Sequence, residues 1–111
     1  MSKVDQTEVA ERLKFGVLCR DFSGRLCYEI NDFPLEKYNE TKSSLVKKFG
    51  LFPFGITIYG LDEVFQCYIR GLKRVGIEWD VWSGFIVVAK SKRAENLVIN
   101  MARHLESTIE I

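Results

Sequence analysis

Gly76-Ile77-Glu78-Trp79-Asp80-Val81-Trp82-Ser83-Gly84-Phe85-Ile86-Val87-Val88-Ala89 is the stretch on which the fold turns. Two runs rich in aromatic and β-branched residues flank Ser83-Gly84, which reads as a β-hairpin of residues 77–82 and 85–90. With Ser83-Gly84 as a two-residue turn, Trp82 pairs with Phe85 and Asp80 with Val87. Strand alternation then puts Ile77, Trp79, Val81, Ile86 and Val88 on one nearly apolar face, expected beneath helices. The opposite face carries Glu78, Asp80, Trp82, Phe85, Val87 and Ala89. Tyr59 and Thr57 join it from the preceding strand if Ile56 and Ile58 point to the core. A surface of rigid aromatics with charges that set register is what a protein-binding site needs. Tyr59, Glu78, Asp80, Trp82 and Phe85 are the partner-binding candidates on this reading. The competing reading is that the N-terminal hairpin or a second copy of the chain covers this face, because Phe85 and Val87 are costly to leave in water.

Downstream, Ser91 suits a helix N-cap. Ala94, Leu97, Val98, Met101, Ala102 and Leu105 recur at helical spacing and predict a helix over 92–106. Thr108-Ile109-Glu110-Ile111 suits a final edge strand. Upstream, Leu61, Val64, Phe65, Tyr68, Leu72 and Val75 form an amphipathic stripe, which predicts a helix over 62–75 that Gly76 stops. Residues 54–60 read as a strand. Leu35, Tyr38, Leu45, Val46 and Phe49 predict a helix over 34–49, with Pro34 at its first position and Gly50 as its stop.

Residues 15–31 form a first hairpin with two registers open. A type I turn from Asp21 to Gly24, closed by a bulge, sets Cys19 opposite Cys27. A two-residue Ser23-Gly24 turn sets Cys19 opposite Tyr28 and gathers Val17, Cys19, Leu26, Tyr28 and Ile30 on one face. The hydrophobic pattern favours the second. Residues 1–14 are an arm or a short helix with the thin stripe Val9, Ala10 and Leu13.

From residue 54 the order is strand, helix, strand, strand, helix and a last strand. That is a ferredoxin-like βαββα(β) unit over 54–111, preceded by a hairpin and a helix. The expected fold is a single α+β domain over residues 1–111, an antiparallel sheet with helices on one face.

The chain has 111 residues, with 16 Lys and Arg against 15 Asp and Glu, for a net charge of +1. A near-neutral chain lacks the basic surface that nucleic acid or an anionic membrane selects. The longest apolar run, Phe85 to Ala89, is far short of the ~20 residues that span a bilayer. The N-terminus has no apolar leader, and three cysteines cannot all pair within one chain. A cytoplasmic setting with reduced thiols follows as the expectation.

Chemistry is sparse. His104 lies beside Asn100 on the polar side of the last helix, and no spacing joins it to Cys67 as a nucleophile and base. Cys19, Cys27, Cys67 and His104 match no zinc-site spacing. Asp62 and Glu63 are explained by a helix dipole. No glycine pattern suits a phosphate or dinucleotide, so no catalytic residue, metal or cofactor is expected. Lys90-Ser91-Lys92-Arg93 is different. Cations at a helix N-terminus, with free N–H groups, suit a phosphate or a carboxylate, and these four are the anion-binding candidates. A solvated basic turn is the plainer explanation.

Two stretches loosely resemble the motifs of an RNA-recognition domain: Ile56-Thr57-Ile58-Tyr59-Gly60-Leu61 and Ser83-Gly84-Phe85-Ile86-Val87-Val88. Thr57 stands where a stacking aromatic belongs, Val87 where a later one is expected, and Glu78 and Asp80 repel phosphate. More closely, Trp79-Asp80-Val81-Trp82-Ser83-Gly84, with its hairpin and following helix, resembles small bacterial proteins that neutralise polymorphic or contact-dependent toxins. The resemblance covers the last third of the chain. It implies a small cytoplasmic immunity protein that binds a toxin domain and blocks it, with no chemistry of its own. The expected function is therefore non-catalytic protein binding, with a homodimer compatible. The alternative is a module that binds a small ligand or RNA on an open sheet face.

Overall fold

The computed structural model describes residues 8–109. Its strands are β1 (Glu8–Arg12), β2 (Val17–Arg20), β3 (Leu26–Ile30), β4 (Phe52–Pro53), β5 (Ile58–Tyr59), β6 (Glu63–Arg70), β7 (Lys73–Asp80) and β8 (Gly84–Ala89). Its helices are α1 (Tyr38–Phe49) and α2 (Glu95–Thr108), each entered through a 3-10 turn, Leu35–Lys37 and Lys92–Ala94. The strands form one antiparallel sheet in the order β1-β2-β3-β8-β7-β6-β4, with β5 also paired to β6. Both helices lie on one face of it. The fold is α+β, as the residues imply.

Both helices follow the sequence pattern. Every residue of the last-helix stripe, from Ala94 to Leu105, is buried. Gly50 ends α1 in the left-handed conformation, with φ at 62°, where lack of a Cβ removes the steric cost. Ser91 does not cap α2 with its side chain; its hydroxyl instead accepts the Arg74 N–H at 3.1 Å.

Residues 62–75 are not a helix. They form all of β6 and the start of β7, joined through Gly71-Leu72, with Arg70 facing Lys73. Gly71 has a φ of 61°, as the first central position of a glycine-led hairpin turn asks. The stripe from Leu61 to Val75 also reads as two strands because both sheet faces carry apolar side chains: Val64 and Tyr68 inward, Phe65, Cys67 and Ile69 half-buried outward. With apolar groups on both faces, period two disappears and an accidental helical period remains. The aromatic and β-branched content was the better signal. Without that helix, the βαββα crossover is replaced by the meander β6-β7-β8.

The hairpin at residues 76–89 exists in a different register. Trp79 faces Phe85 and Asp80 faces Gly84, so Val81-Trp82-Ser83 forms the loop. The shift is an odd number of residues, so β8 is turned over relative to the expectation. Phe85, Val87 and Ala89 join Val75, Ile77 and Trp79 beneath the helices, while Ile86 and Val88 share the other face with Glu78. Gly84 makes this register possible: its φ is 77°, and a Cβ there would sit 2.0 Å from the Ile30 carbonyl oxygen.

The first hairpin also takes the less favoured register, Cys19 opposite Cys27. Asp21 decides it. Its Oδ1 accepts the Ser23 and Arg25 N–H groups at 2.9 and 2.8 Å, and its carbonyl accepts the Gly24 N–H at 2.9 Å. Turn chemistry outweighs one-face patterning here because the opposite face is itself partly buried. Residues 8–12 of the expected arm are strand β1; residues 1–7 lie outside the described part. Thr108 ends α2 rather than starting a strand, and residues 110 and 111 lie outside the described part.

The main core joins the helices to the sheet through Tyr28, Ile30, Phe33, Tyr38, Leu45, Ile77, Phe85, Val87, Val98 and Met101, among others. Phe85 packs at 5.1 Å from Phe33 and 5.8 Å from Tyr38 between ring centroids. Buried polar groups are paired within it. The Tyr38 hydroxyl donates to the Ile77 carbonyl at 2.6 Å, and the Trp79 indole N–H to the Phe33 carbonyl at 2.8 Å. A smaller cluster, Cys19, Cys27, Ile86 and Val88, lies on the helix-free face.

Candidate functional site

The residues from Phe52 to Leu61 are short on charge and long on exposed carbon. Pro53 cannot donate to a ladder, and Gly55 and Gly60 interrupt the run, which confines it to a sheet edge. Phe52 and Pro53 face Ile69 and Tyr68, while Ile58 and Tyr59 face Phe65 and Val64. The Phe54 N–H donates to the Cys67 carbonyl at 2.9 Å. Gly55-Ile56-Thr57 therefore bulge out opposite Gln66, whose buried amide bonds the Thr57 hydroxyl and the Gly55 carbonyl. The expected strand over 54–60 is thus a ragged edge, starting at Phe52 and broken in the middle.

This edge leaves Phe52, Phe54, Ile56, Ile58, Tyr59 and Leu61 exposed, Ile56 by 81% and Tyr59 by 67%. The Val81 N–H donates to the Asp62 carbonyl at 2.9 Å, which fastens the β7–β8 loop beside Leu61. Val81 and Trp82 are exposed there, Trp82 by 69%. Most of the exposed large apolar side chains among the described residues lie in these two segments. Next to them is a cavity of about 240 Å³ lined by Leu35, Tyr38, Tyr59, Leu61, Val64 and Trp79. A ridge of apolar side chains beside a hole is the anatomy of a protein-docking surface, since anchor residues bind best in pockets that exclude water. Monomers rarely expose contiguous apolar patches beyond a few hundred Å² without an interaction to explain them.

The five sequence candidates separate. Tyr59 and Trp82 lie on this surface. Phe85 does not: its exposure is 0%, and it is a core residue because β8 is turned over. Asp80 is buried, and its Oδ1 accepts the Trp82 and Ser83 N–H groups at 3.0 and 2.5 Å. It shapes the loop that presents Trp82. Glu78 lies on the helix-free face, where it pairs with Lys90 Nζ at 3.0 Å. Pattern reading missed Phe52, Phe54, Ile56, Ile58 and Leu61. Pro53 and the two glycines within the run, Gly55 and Gly60, were the signal that would have placed them on an edge.

The helix-free face holds a second concavity, about 330 Å³, between the Asp21–Arg25 turn and the centre of the sheet. Its floor is Cys27, Ile86, Val88 and Phe65; its charged rim is Asp21, Arg25, Glu29, Glu78 and Lys90. Gly76 makes room for the Glu78–Lys90 pair. A Cβ at residue 76 would lie 2.7 Å from Glu78 Oε2 and 2.8 Å from Lys90 Cε. The four anion-site candidates are dispersed by these contacts. Lys90 is paired, the Ser91 hydroxyl accepts the Arg74 N–H at 3.1 Å, and Lys92 and Arg93 are exposed on the 3-10 turn.

The sheet also separates the nucleophile from the imidazole. Cys67 faces the helix-free side in register with Gly76, whereas His104 packs edge-on to Phe49 at 5.7 Å on the helical side. Among the described residues, no group of three or more His, Cys, Asp or Glu is placed to hold a metal ion. No helix among them is long and apolar enough to cross a membrane. No known protein family matches this chain, nor does any curated protein or solved structure.

Proposed function

We propose that the chain is a non-catalytic protein-binding module that docks by the Phe52–Leu61 edge and the Val81–Trp82 loop. In its most concrete form it is a cytoplasmic immunity-type inhibitor that binds and blocks a toxin domain. The carrying observation is the run of exposed apolar side chains beside the 240 Å³ hole. An inhibitor needs only a preorganised surface, and Asp80, through its two loop hydrogen bonds, preorganises Trp82. The bulge at Gly55-Ile56-Thr57 fits the same reading. It breaks up a long flat edge that would otherwise invite indiscriminate strand pairing. Acidic steering by Glu78 and Asp80 is not part of the proposal, since one is paired with Lys90 and the other is committed to the loop.

Native mass spectrometry of the tagged chain purified from its own host, after nuclease treatment, tests this. The expected result is a stoichiometric protein adduct that an Ile58→Lys/Trp82→Ala variant loses while staying folded. An adduct that the variant retains refutes the edge as the docking surface. Recovery of a homodimer alone refutes the inhibitor reading. The cavity on the helix-free face favours a second reading, a small-ligand module. Three carboxylates on its rim argue against RNA as the occupant.

A further inference from the structure

We propose that Cys19 and Cys27 are a cross-strand dithiol that hydrogen peroxide closes to a disulfide, a redox site independent of the protein-docking reading. The two residues face each other directly in the regular β2–β3 ladder. The Asp21 N–H donates to the Arg25 carbonyl at 2.9 Å, so Asp21/Arg25 is a hydrogen-bonded pair. Two residues along each strand, Cys19/Cys27 is again such a position. Its Cα atoms are then about 5.5 Å apart, inside the ~4.4–6.8 Å range of disulfides, and its Cβ atoms, about 5 Å apart in such a pair, must draw together by roughly 1 Å for the bond to close. Both side chains point to the helix-free face and share one buried cluster with Ile86 and Val88. Neither is in a disulfide, and they are exposed by only 1% and 2%.

Cys27 also lines the 330 Å³ cavity, which makes it the sulfur that a small oxidant reaches first. Its thiol is pushed up by burial, by Asp21 and by the neighbouring Cys19, so little of it is thiolate and the reaction is slow. Cys67 is excluded as a partner. It belongs to the same lateral row, Cys27-Val88-Gly76-Cys67, but three strands away, about 14 Å at the sheet spacing.

The chemistry balances without any other co-reactant. The Cys27 thiolate attacks one peroxide oxygen, the O–O bond breaks, and hydroxide leaves to give a sulfenic acid. The Cys19 thiolate then attacks the Cys27 sulfur and displaces a second hydroxide. In sum, two thiols and hydrogen peroxide give one disulfide and two waters.

The test uses the full chain carrying Cys67→Ser. It is reduced, exposed to hydrogen peroxide under native conditions, alkylated and digested with trypsin. The expected product is lighter by two hydrogen atoms, joins peptide 15–20 to peptide 26–37, and reverts with dithiothreitol. Two results overturn the proposal: both cysteines fully alkylated after peroxide, or oxidised to sulfinic acid without a cross-link. Linkage that forms only in denaturant also overturns it. Mapping the wild-type chain in the same way gives the answer even if Cys67→Ser does not fold.

Discussion

Replacing Glu106 by Gln cuts the tie between the β1–β2 turn and the last turns of α2. The carboxylate accepts the Phe15 N–H at 3.0 and 3.1 Å, the Gly16 N–H at 2.8 Å and the Tyr28 hydroxyl at 2.5 Å. Gln keeps the shape but offers one acceptor oxygen, and its NH₂ faces donors. Hydrogen bonds to a charged group contribute roughly 1.5–3 kcal/mol each. The site is half-buried, so water replaces part of what is lost. The low end of that range, for the bonds the amide cannot make, predicts a loss of about 2–3 kcal/mol. For a domain of this size that lowers the thermal midpoint by about 10 °C. Urea and thermal unfolding followed by circular dichroism measure both quantities, and the urea slope should stay unchanged. Tyr28→Phe removes only the hydroxyl, so the double-mutant cycle isolates its bond, with an expected coupling of about 1 kcal/mol. A loss below about 0.5 kcal/mol, or an additive cycle, refutes the tie.

Phe85→Ala should cost about 3–5 kcal/mol, as a fully buried aromatic does, whereas Trp82→Ala should stay within about 0.5 kcal/mol. The two variants in one urea series check the β8 register, because the Trp82–Phe85 pairing would expose both side chains alike. Gly76→Ala should separate the Glu78–Lys90 pair, which lies where the new Cβ would go. Loss of a lysine–carboxylate contact between these two residues in the NMR spectrum is the readout, and an unchanged pair contradicts the packing. Glu95 is held below the ordinary carboxylate range by its hydrogen bond to Arg20, at 2.5 Å, and by the Arg20 and Lys92 charges. A lowered folded-state value gives stability that is present above about pH 4.3, the unfolded glutamate value, and lost as pH falls through the lowered one. Glu95→Gln should therefore flatten the acid limb of the stability curve; an unchanged limb would count against the pair.

Much of the helical architecture was legible locally. In α2 the stripe fills one buried face and the opposite side is polar, so the period near 3.6 reported a true helix. The stop at Gly50 rests on backbone geometry that only glycine meets cheaply. The sheet was less legible because apolar side chains occupy both of its faces. In β6, Val64, Gln66 and Tyr68 go inward and Phe65, Cys67 and Ile69 outward, and the mixture imitates a helix. Of the binding surface, Tyr59 and Trp82 could be picked as exposed aromatics, but their apolar neighbours from Phe52 to Leu61 could not. Edge position depends on which strands pair, and pairing is a property of the whole sheet.

By itself the sequence determined an α+β chain, the helices near residues 34–49 and 92–106 but not the strands over 62–75, and hairpin turns somewhere within Asp21–Arg25 and near Ser83-Gly84. These follow from short-range spacing, capping and φ preferences. The tertiary structure decided the register of the second hairpin, the face on which Phe85 lies, and the exposure of the Phe52–Leu61 edge. A one-residue change in pairing turns a whole strand over at almost no local cost. Only the packing of Tyr38, Val98 and Met101 above the sheet, and the close passage of Gly84 beneath the Ile30 carbonyl, select among the alternatives.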